Sequence, residues 1–249
     1  MEISFKGQTV LITGGTRGIG LALAKLVLEL GGHCIITGTH NSDKWQESSN
    51  FIDDENLDYI QIDFASENLE GQIEEKISKQ YSKIDVCINN AGINKLDDIS
   101  EVPEATLSKI MKVNLLAPAL VTSKVSLLMK KNNYGKIVNI SSVFGLISKA
   151  GRSSYSATKA GLIGQTKAVA LDLAGDGILV NAVCPGFIDT ELTRSILGDS
   201  GIKKIIERIP LGRLAKAEEL VPTILFLASG LNSYITGSVV TIDGGVSAS

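Results

Sequence analysis

"TVLITGGTRGIGLALAKLVLELGG", residues 9–32, decides the fold. Its first seven residues, 9–15, are a short apolar run that ends in Gly14 and Gly15. A run of that kind bounded by glycine reads as a buried strand. From residue 19 the apolar positions recur at helical spacing, and Gly31 and Gly32 close the pattern. Gly14, Gly18 and Gly20, spaced G-x3-G-x-G, fall on the junction between strand and helix, with Thr16, Arg17 and Ile19 among them. Glycines here let the backbone approach a pyrophosphate, and the helix N-terminus adds free N–H donors and a positive dipole end. A tight turn with no ligand would use the same glycines. The context, after a strand and opening a helix, is the one a dinucleotide needs.

Working outward, apolar strand patterns recur at 33–38, 57–64, 84–92, 135–142, 177–186 and 238–245. Helical patterns fill the gaps near 66–80, 103–131, 155–174, 202–208 and 217–230. Apolar strands alternating with helices imply a parallel sheet covered on both faces. The expectation is one α/β domain over residues 1–249: a Rossmann-type three-layer fold with a seven-stranded, doubly wound parallel sheet. No linker, repeat or low-complexity tract interrupts it. The polar stretch 41–58 reads as a solvated loop with a short helix, and 191–212 as a mobile lid over a substrate.

Composition narrows the function. Of 249 residues, 44% are hydrophobic and 20% charged, which suits a globular chain. A net charge of −3 gives no electrostatic reason for a nucleic-acid or anionic-membrane partner. Cys34, Cys87 and Cys184 each sit in an apolar run and read as buried free thiols. His33 and His40 lack metal-ligand spacing, so no metal is expected. No signal-peptide pattern and no run of about 18 apolar residues is present, so a cytoplasmic location is expected.

Tyr155 and Lys159 in "SSYSATKAG" (153–161) lie four apart, on one face of a helix. A free tyrosine has a pKa of about 10, and a neighbouring ammonium would lower it. Alone, such a pair is common on surface helices. Here it is accompanied by "TGGTRGIG" (13–20), "NNAG" (89–92), Asn114 in "KVNLLAP", "NISS" (139–142) and "PGFIDT" (185–190). In order and spacing these motifs resemble the short-chain dehydrogenase/reductase family over essentially the whole chain. The tail "YITGSVVTIDGG" resembles the 3-oxoacyl-[acyl-carrier-protein] reductase branch.

The resemblance implies hydride transfer between nicotinamide C4 and a ketone or secondary alcohol. It assigns the proton donor to Tyr155, its tuning and the ribose hydroxyls to Lys159, substrate orientation to Ser142 and a proton-relaying water to Asn114. Bland readings stand beside these. Ser142 or Ser141 can cap a strand end, Asn114 can bond backbone, and Lys159 can be solvated. After the second strand, "ITGTHNSDK" offers Thr39 and no carboxylate where the ribose 2′-hydroxyl of NAD would be bound. Arg17 is either a 2′-phosphate ligand or a surface charge. NADP(H) is therefore expected, with NAD(H) possible should Asp43 reach the ribose. Asp63 receives the adenine or caps a helix. Asn90 and Gly92 line the cofactor, and Pro185, Gly186, Ile188 and Thr190 close on the nicotinamide. The substrate pocket is expected among Asn94, Phe144, Arg152 and Phe187, with Asn94 and Arg152 at its rim.

A 3-oxoacyl thioester, with acyl carrier protein as a possible partner, is the implied substrate. Asp176 stands where that branch carries one docking cation, although Lys130 and Lys131 remain. The alternatives are a ketone reductase or alcohol dehydrogenase of a specialised pathway, or a dinucleotide sensor without catalysis. Sugar-nucleotide epimerases share the Tyr-x3-Lys pair but are usually longer. The resemblance also implies a homotetramer, associating through 103–131, 155–174 and the C-terminal strand.

Overall fold

In the computed structural model, residues 2–248 are described. Seven strands form one parallel sheet: β1 (Thr9–Ile12), β2 (His33–Gly38), β3 (Leu57–Gln61), β4 (Val86–Asn89), β5 (Gly135–Ile140), β6 (Ile178–Pro185) and β7 (Val239–Ile242). Their order is β3-β2-β1-β4-β5-β6-β7, so the winding reverses between β1 and β4. Loops that leave the C-terminal ends of those two strands diverge, and a crevice opens there. The expected fold class and strand count are met.

Each central strand is apolar on both faces because both are covered. Along β1, Val10 and Ile12 face one layer and Leu11 the other. The first layer is α1 (Gly18–Glu29) with α8 (Val221–Ala228), which buries Leu23, Val27, Ile224 and Leu227. The second contains α3 (Leu69–Ile73), α4 (Glu104–Met111), α5 (Ala117–Lys130) and α6 (Ser153–Leu173), burying Ile73, Val121, Val125, Met129 and Leu173. Helix α1 ends where Gly31 takes φ +82°. The Gly31 N–H then donates to Leu28 and the Gly32 N–H to Val27, which satisfies two terminal carbonyls.

Three features depart from the sequence expectation. The stretch 41–58 holds a short α2 (Ser42–Gln46) whose Trp45 is buried and stacked 5.7 Å from the Tyr59 ring, so this segment is packed rather than fully solvated. A π-helical turn, Lys112–Leu116, joins α4 to α5 in one 27-residue helix. By length and composition alone that helix could cross a membrane, but it packs along β4, β5 and α6 as a core helix. Residues 191–206, expected within a lid, form α7 (Glu191–Ile206), kinked at Gly198 where φ is +60°. Most of α7 is exposed and Ile205 is its buried anchor.

Candidate active site

The glycine turn is built for close approach. Gly14 takes φ +66° and Gly18 φ +54°, a region other residues rarely enter. A Cβ on Gly20 would lie 2.2 Å from the Gly14 carbonyl oxygen and 2.6 Å from Asn90 Nδ2, so only glycine lets α1 start against the turn. Four hydrogen bonds brace the turn from beneath. Asn90 Nδ2 donates to the carbonyls of Thr13 and Gly14, and the N–H groups of Asn90 and Ala91 donate to Thr13 Oγ1, all at 3.0 Å. Thr13 was not singled out in the sequence, where it looks like one more strand residue. No side chain caps the N-terminus of α1, which leaves its first N–H groups free to bind an anion.

A cleft of about 680 Å³ runs over this turn along the ends of β1, β2, β4, β5 and β6. Gly14, Thr16, Arg17, Gly18, Ile19, Thr39, Asp63, Asn90, Gly92, Ser142, Tyr155, Lys159, Pro185, Gly186, Ile188 and Thr190 all line it. Gly20 and Asn114 support it from behind. At the β2 end Lys44, Ser48 and Asn50 also line the cleft, residues that the sequence reading passed over in a polar loop. Asp43 is not among the lining residues. Arg17 is exposed and its guanidinium lies 3.4 Å from Glu191 at the start of α7. Asp63 Oδ1 accepts from the Ala65 N–H at 2.9 Å, capping a turn and not α3, which begins at Leu69. Thr190 Oγ1 caps α7 by accepting from the Thr193 N–H at 3.3 Å. The cradle of positive-φ glycines and the uncapped helix end fit the pyrophosphate of a dinucleotide.

At the other end the expected catalytic side chains come together. Ser142 lies just past β5 and its Oγ accepts from the Phe144 N–H at 3.1 Å, so it does cap a 3-10 turn. That bond leaves the hydroxyl hydrogen free, and it acts on Tyr155. Ser141 is spoken for differently: its hydroxyl donates to the Lys159 carbonyl at 2.9 Å. The Asn114 amide, placed by the π-helical turn, accepts from the Ile93 N–H at 2.9 Å and donates to the Ile93 carbonyl at 2.8 Å. A Cβ on Gly92 would sit 3.5 Å from Asn114 Oδ1 and 3.6 Å from Lys159 Nζ, in ordinary contact with both, which places Gly92 beside these two groups at the cleft wall. π-helical turns of this kind recur at functional sites.

Lys159 is buried, at 4% exposure, and its Nζ donates to the Ile140 carbonyl at 2.8 Å. Burial draws its pKa down to about 8. Tyr155 corrects the sequence expectation. Burial raises its pKa above the ordinary value, opposed by the Ser142 hydroxyl and the Arg152 charge. Lys159 does not hold it down, because its ammonium is turned onto Ile140 and lies 5.7 Å from the Tyr155 ring centroid.

The expected substrate residues are also rearranged. Phe144 and Phe187 meet edge-to-face at 5.7 Å, and the Arg152 guanidinium lies 4.7 Å over the Phe144 ring. None of the three lines the main cleft; they form a cluster beside Ser142 and Tyr155. Arg152 is not a rim residue but is buried at 6% exposure. Asn94, on the loop after β4, keeps its Oδ1 buried and without a hydrogen-bond partner.

The comparisons with known proteins agree with this geometry. Residues 14–247 match a family model described as enoyl-(acyl carrier protein) reductase. The chain is 40% identical over 248 residues to the 3-oxoacyl-[acyl-carrier-protein] reductase FabG of Aquifex aeolicus, covering 99% of this chain and 100% of that one. It is 38% identical over 244 residues to the FabG of Thermotoga maritima, covering 97% and 98%. Among solved structures, a proposed NAD(P)-dependent gluconate 5-dehydrogenase from Beutenbergia cavernae, with NADP bound at low occupancy, superimposes with a TM-score of 0.88. It is 30% identical and covers 99% of each chain.

Proposed function

The chain belongs to the short-chain dehydrogenase/reductase family and is an NAD(P)-dependent oxidoreductase of the CH–OH/C=O type; from that premise we propose that it uses NADP(H) to reduce a ketone. The observation that carries this reading is the convergence of Ser142, Tyr155 and Lys159 on a cleft floored by the glycine turn. The nicotinamide, when bound, supplies the hydride. Everything else falls to the chain's own residues. Negative charge develops on the carbonyl oxygen as the bond is reduced, and a proton must meet it there. Tyr155, neutral because burial raises its pKa, holds that proton at its hydroxyl. The Ser142 hydroxyl hydrogen orients the oxygen. Lys159 holds a positive charge beneath the site, and Asn114 fixes the Ile93 loop against it.

Arg17 and Lys44 supply cations at the end of the cleft where β2 finishes without a carboxylate, which supports a 2′-phosphate. Asp63 receives the adenine, and Pro185, Gly186, Ile188 and Thr190 take the carboxamide end. NAD(H) is the weaker partner in this reading. A cytoplasmic location and a homotetramer belong to the same reading. Leu116 on the long helix and Leu171 on α6 are exposed, as faces that pair with their copies would be in an isolated chain.

The relatives' names favour a 3-oxoacyl thioester carried by acyl carrier protein. One observation favours a second reading, a small free ketone or its alcohol. Asp176 pairs with Lys130 at 2.9 Å, so one of the two remaining cations near the docking position is already neutralised. The neighbour named for gluconate, a free hydroxy acid, is consistent with that reading. The test is a titration of the protein with NADPH and NADH, following the emission of its single tryptophan, Trp45, which lines the cleft. The reading expects tighter binding of NADPH and consumption of NADPH with acetoacetyl-CoA or a ketone panel. Tenfold or greater preference for NADH, an order of magnitude in Kd, would refute the cofactor assignment.

A further inference from the structure

Arg152 is a largely buried residue whose Nε the protein leaves without an acceptor. Its exposure is 6%, and its Nε is sealed from solvent with no hydrogen-bond acceptor. Among the described residues its side chain makes no hydrogen bond and no ion pair, and its guanidinium lies 4.7 Å over the Phe144 ring. Placing a charge in the interior costs several kcal/mol unless an opposite charge or good acceptors meet it. The position compounds the cost. Arg152 is the N-cap residue of the 21-residue α6, where the helix dipole is already positive and no side chain caps the free N–H groups. A cation, free backbone donors and a helix N-terminus thus converge with no anion among them.

Arg152 stands three residues before Tyr155, and the ring it covers belongs to Phe144, whose N–H donates to Ser142 Oγ at 3.1 Å. We propose that Arg152 is the carboxylate-binding residue of the substrate site, so that the enzyme acts on a short 2- or 3-oxo acid, or the corresponding hydroxy acid, with a free carboxylate. The planar fork of an arginine matches the two oxygens of a carboxylate. Arg152 and Ser142 both meet Phe144, the one over its ring and the other at its N–H, so a carboxylate held by Arg152 lies a short carbon chain from the carbonyl that Ser142 orients. A thioester at that carbon carries no charge and would leave Arg152 as it now stands. The inference rests on the ketone-reductase reading and replaces its thioester by a free acid.

The test compares acetoacetate, ethyl acetoacetate and acetoacetyl-CoA as substrates with NADPH, in the wild-type chain, Arg152→Gln and Arg152→Lys. The wild type should prefer the acid over the ester, and Arg152→Gln should lower the acid-to-ester ratio of kcat/KM by about thirtyfold, as loss of a charge-assisted pair predicts. Arg152→Lys should recover part of the ratio. Equal losses on acid and ester, or a wild-type preference for ester or thioester, would overturn the inference while sparing the ketone-reductase reading. Turnover of none of the three would count against that reading instead. A second measurement does not need turnover: calorimetric titration of acetoacetate into the NADP-loaded Tyr155→Phe chain. Binding should weaken about tenfold or more when Arg152→Gln is added. Unchanged binding there would overturn the inference regardless of activity.

Discussion

Replacing Lys159 by Met should make the protein more stable and inactive at once. Lys159 is buried at 4% exposure, and burial lowers its pKa from 10.5 to about 8. At 1.36 kcal/mol for each pKa unit, holding its charge in the folded state at neutral pH costs about 3 kcal/mol. The variant also loses the bond to the Ile140 carbonyl, and a buried acceptor left bare costs about 1 kcal/mol. The net gain is about 2 kcal/mol, or about 4–8 °C in Tm for a domain of this size. The sign fixes the pH window. A folded pKa below the unfolded one means that the unfolded chain binds more protons between about 8 and 10.5, so wild-type stability rises with pH there. The advantage of Lys159→Met is therefore full well below pH 8, shrinks as pH rises, and becomes a deficit of about 1 kcal/mol above 10.5, where only the lost hydrogen bond remains. Urea melts of both chains at fixed protein concentration, near neutrality and well above pH 9, test this. A variant less stable than wild type at neutral pH, or an advantage independent of pH, would refute the account of Lys159 as a charge held at a cost for function.

Tyr155→Phe should lower kcat by about 10²–10⁴-fold, the range for a positioned general acid, while NADPH still quenches Trp45; retained turnover in steady-state assays would remove Tyr155 from its role. Gly20→Ala should abolish cofactor binding in the same fluorescence titration, because its methyl group would lie 2.2 Å from the Gly14 carbonyl and push α1 off the turn. In the reductive direction kcat/KM should hold up to about pH 8 and fall above it as Lys159 loses its proton in the free enzyme. A profile still level well above pH 9 would detach Lys159 from that limb.

The fold was legible because its signals are local and repeated. Each strand is an apolar run long enough to span a covered sheet, and helical patterns fill most of the gaps between strands. What escaped the sequence depends on contacts between distant segments. Nothing in "NSDKWQESSN" says that Trp45 will find the Tyr59 ring, which arrives from β3. Helix α7 has one buried anchor and a glycine in its middle, so its periodicity is weak and half of it read as loop. The π-helical turn at Asn114 has no sequence signature, yet it brings that amide to the Ile93 backbone.

The candidate site was legible as a set of residue types and illegible as a set of charges. The family resemblance put Ser142, Tyr155 and Lys159 in one site; the four-residue spacing sets Tyr155 and Lys159 on one helix face, and the structure brings Ser142 to the same cleft from the end of β5. Charge state follows from burial, and burial is a property of the assembled core. Read as a pair, Tyr155 and Lys159 looked like a phenol tuned by an ammonium. In the folded chain each is shifted against its charged form by the same desolvation, and Lys159 spends its hydrogen bond on Ile140. The cation that opposes the shift at Tyr155 is Arg152, three residues earlier, which the sequence put at a solvated rim. The two cations are thereby separated by function. Lys159 is tied to backbone through the Ile140 carbonyl, whereas Arg152 Nε has no acceptor in the protein. That division, and not the order of motifs along the chain, is what the comparison of acid, ester and thioester substrates in Arg152→Gln would test.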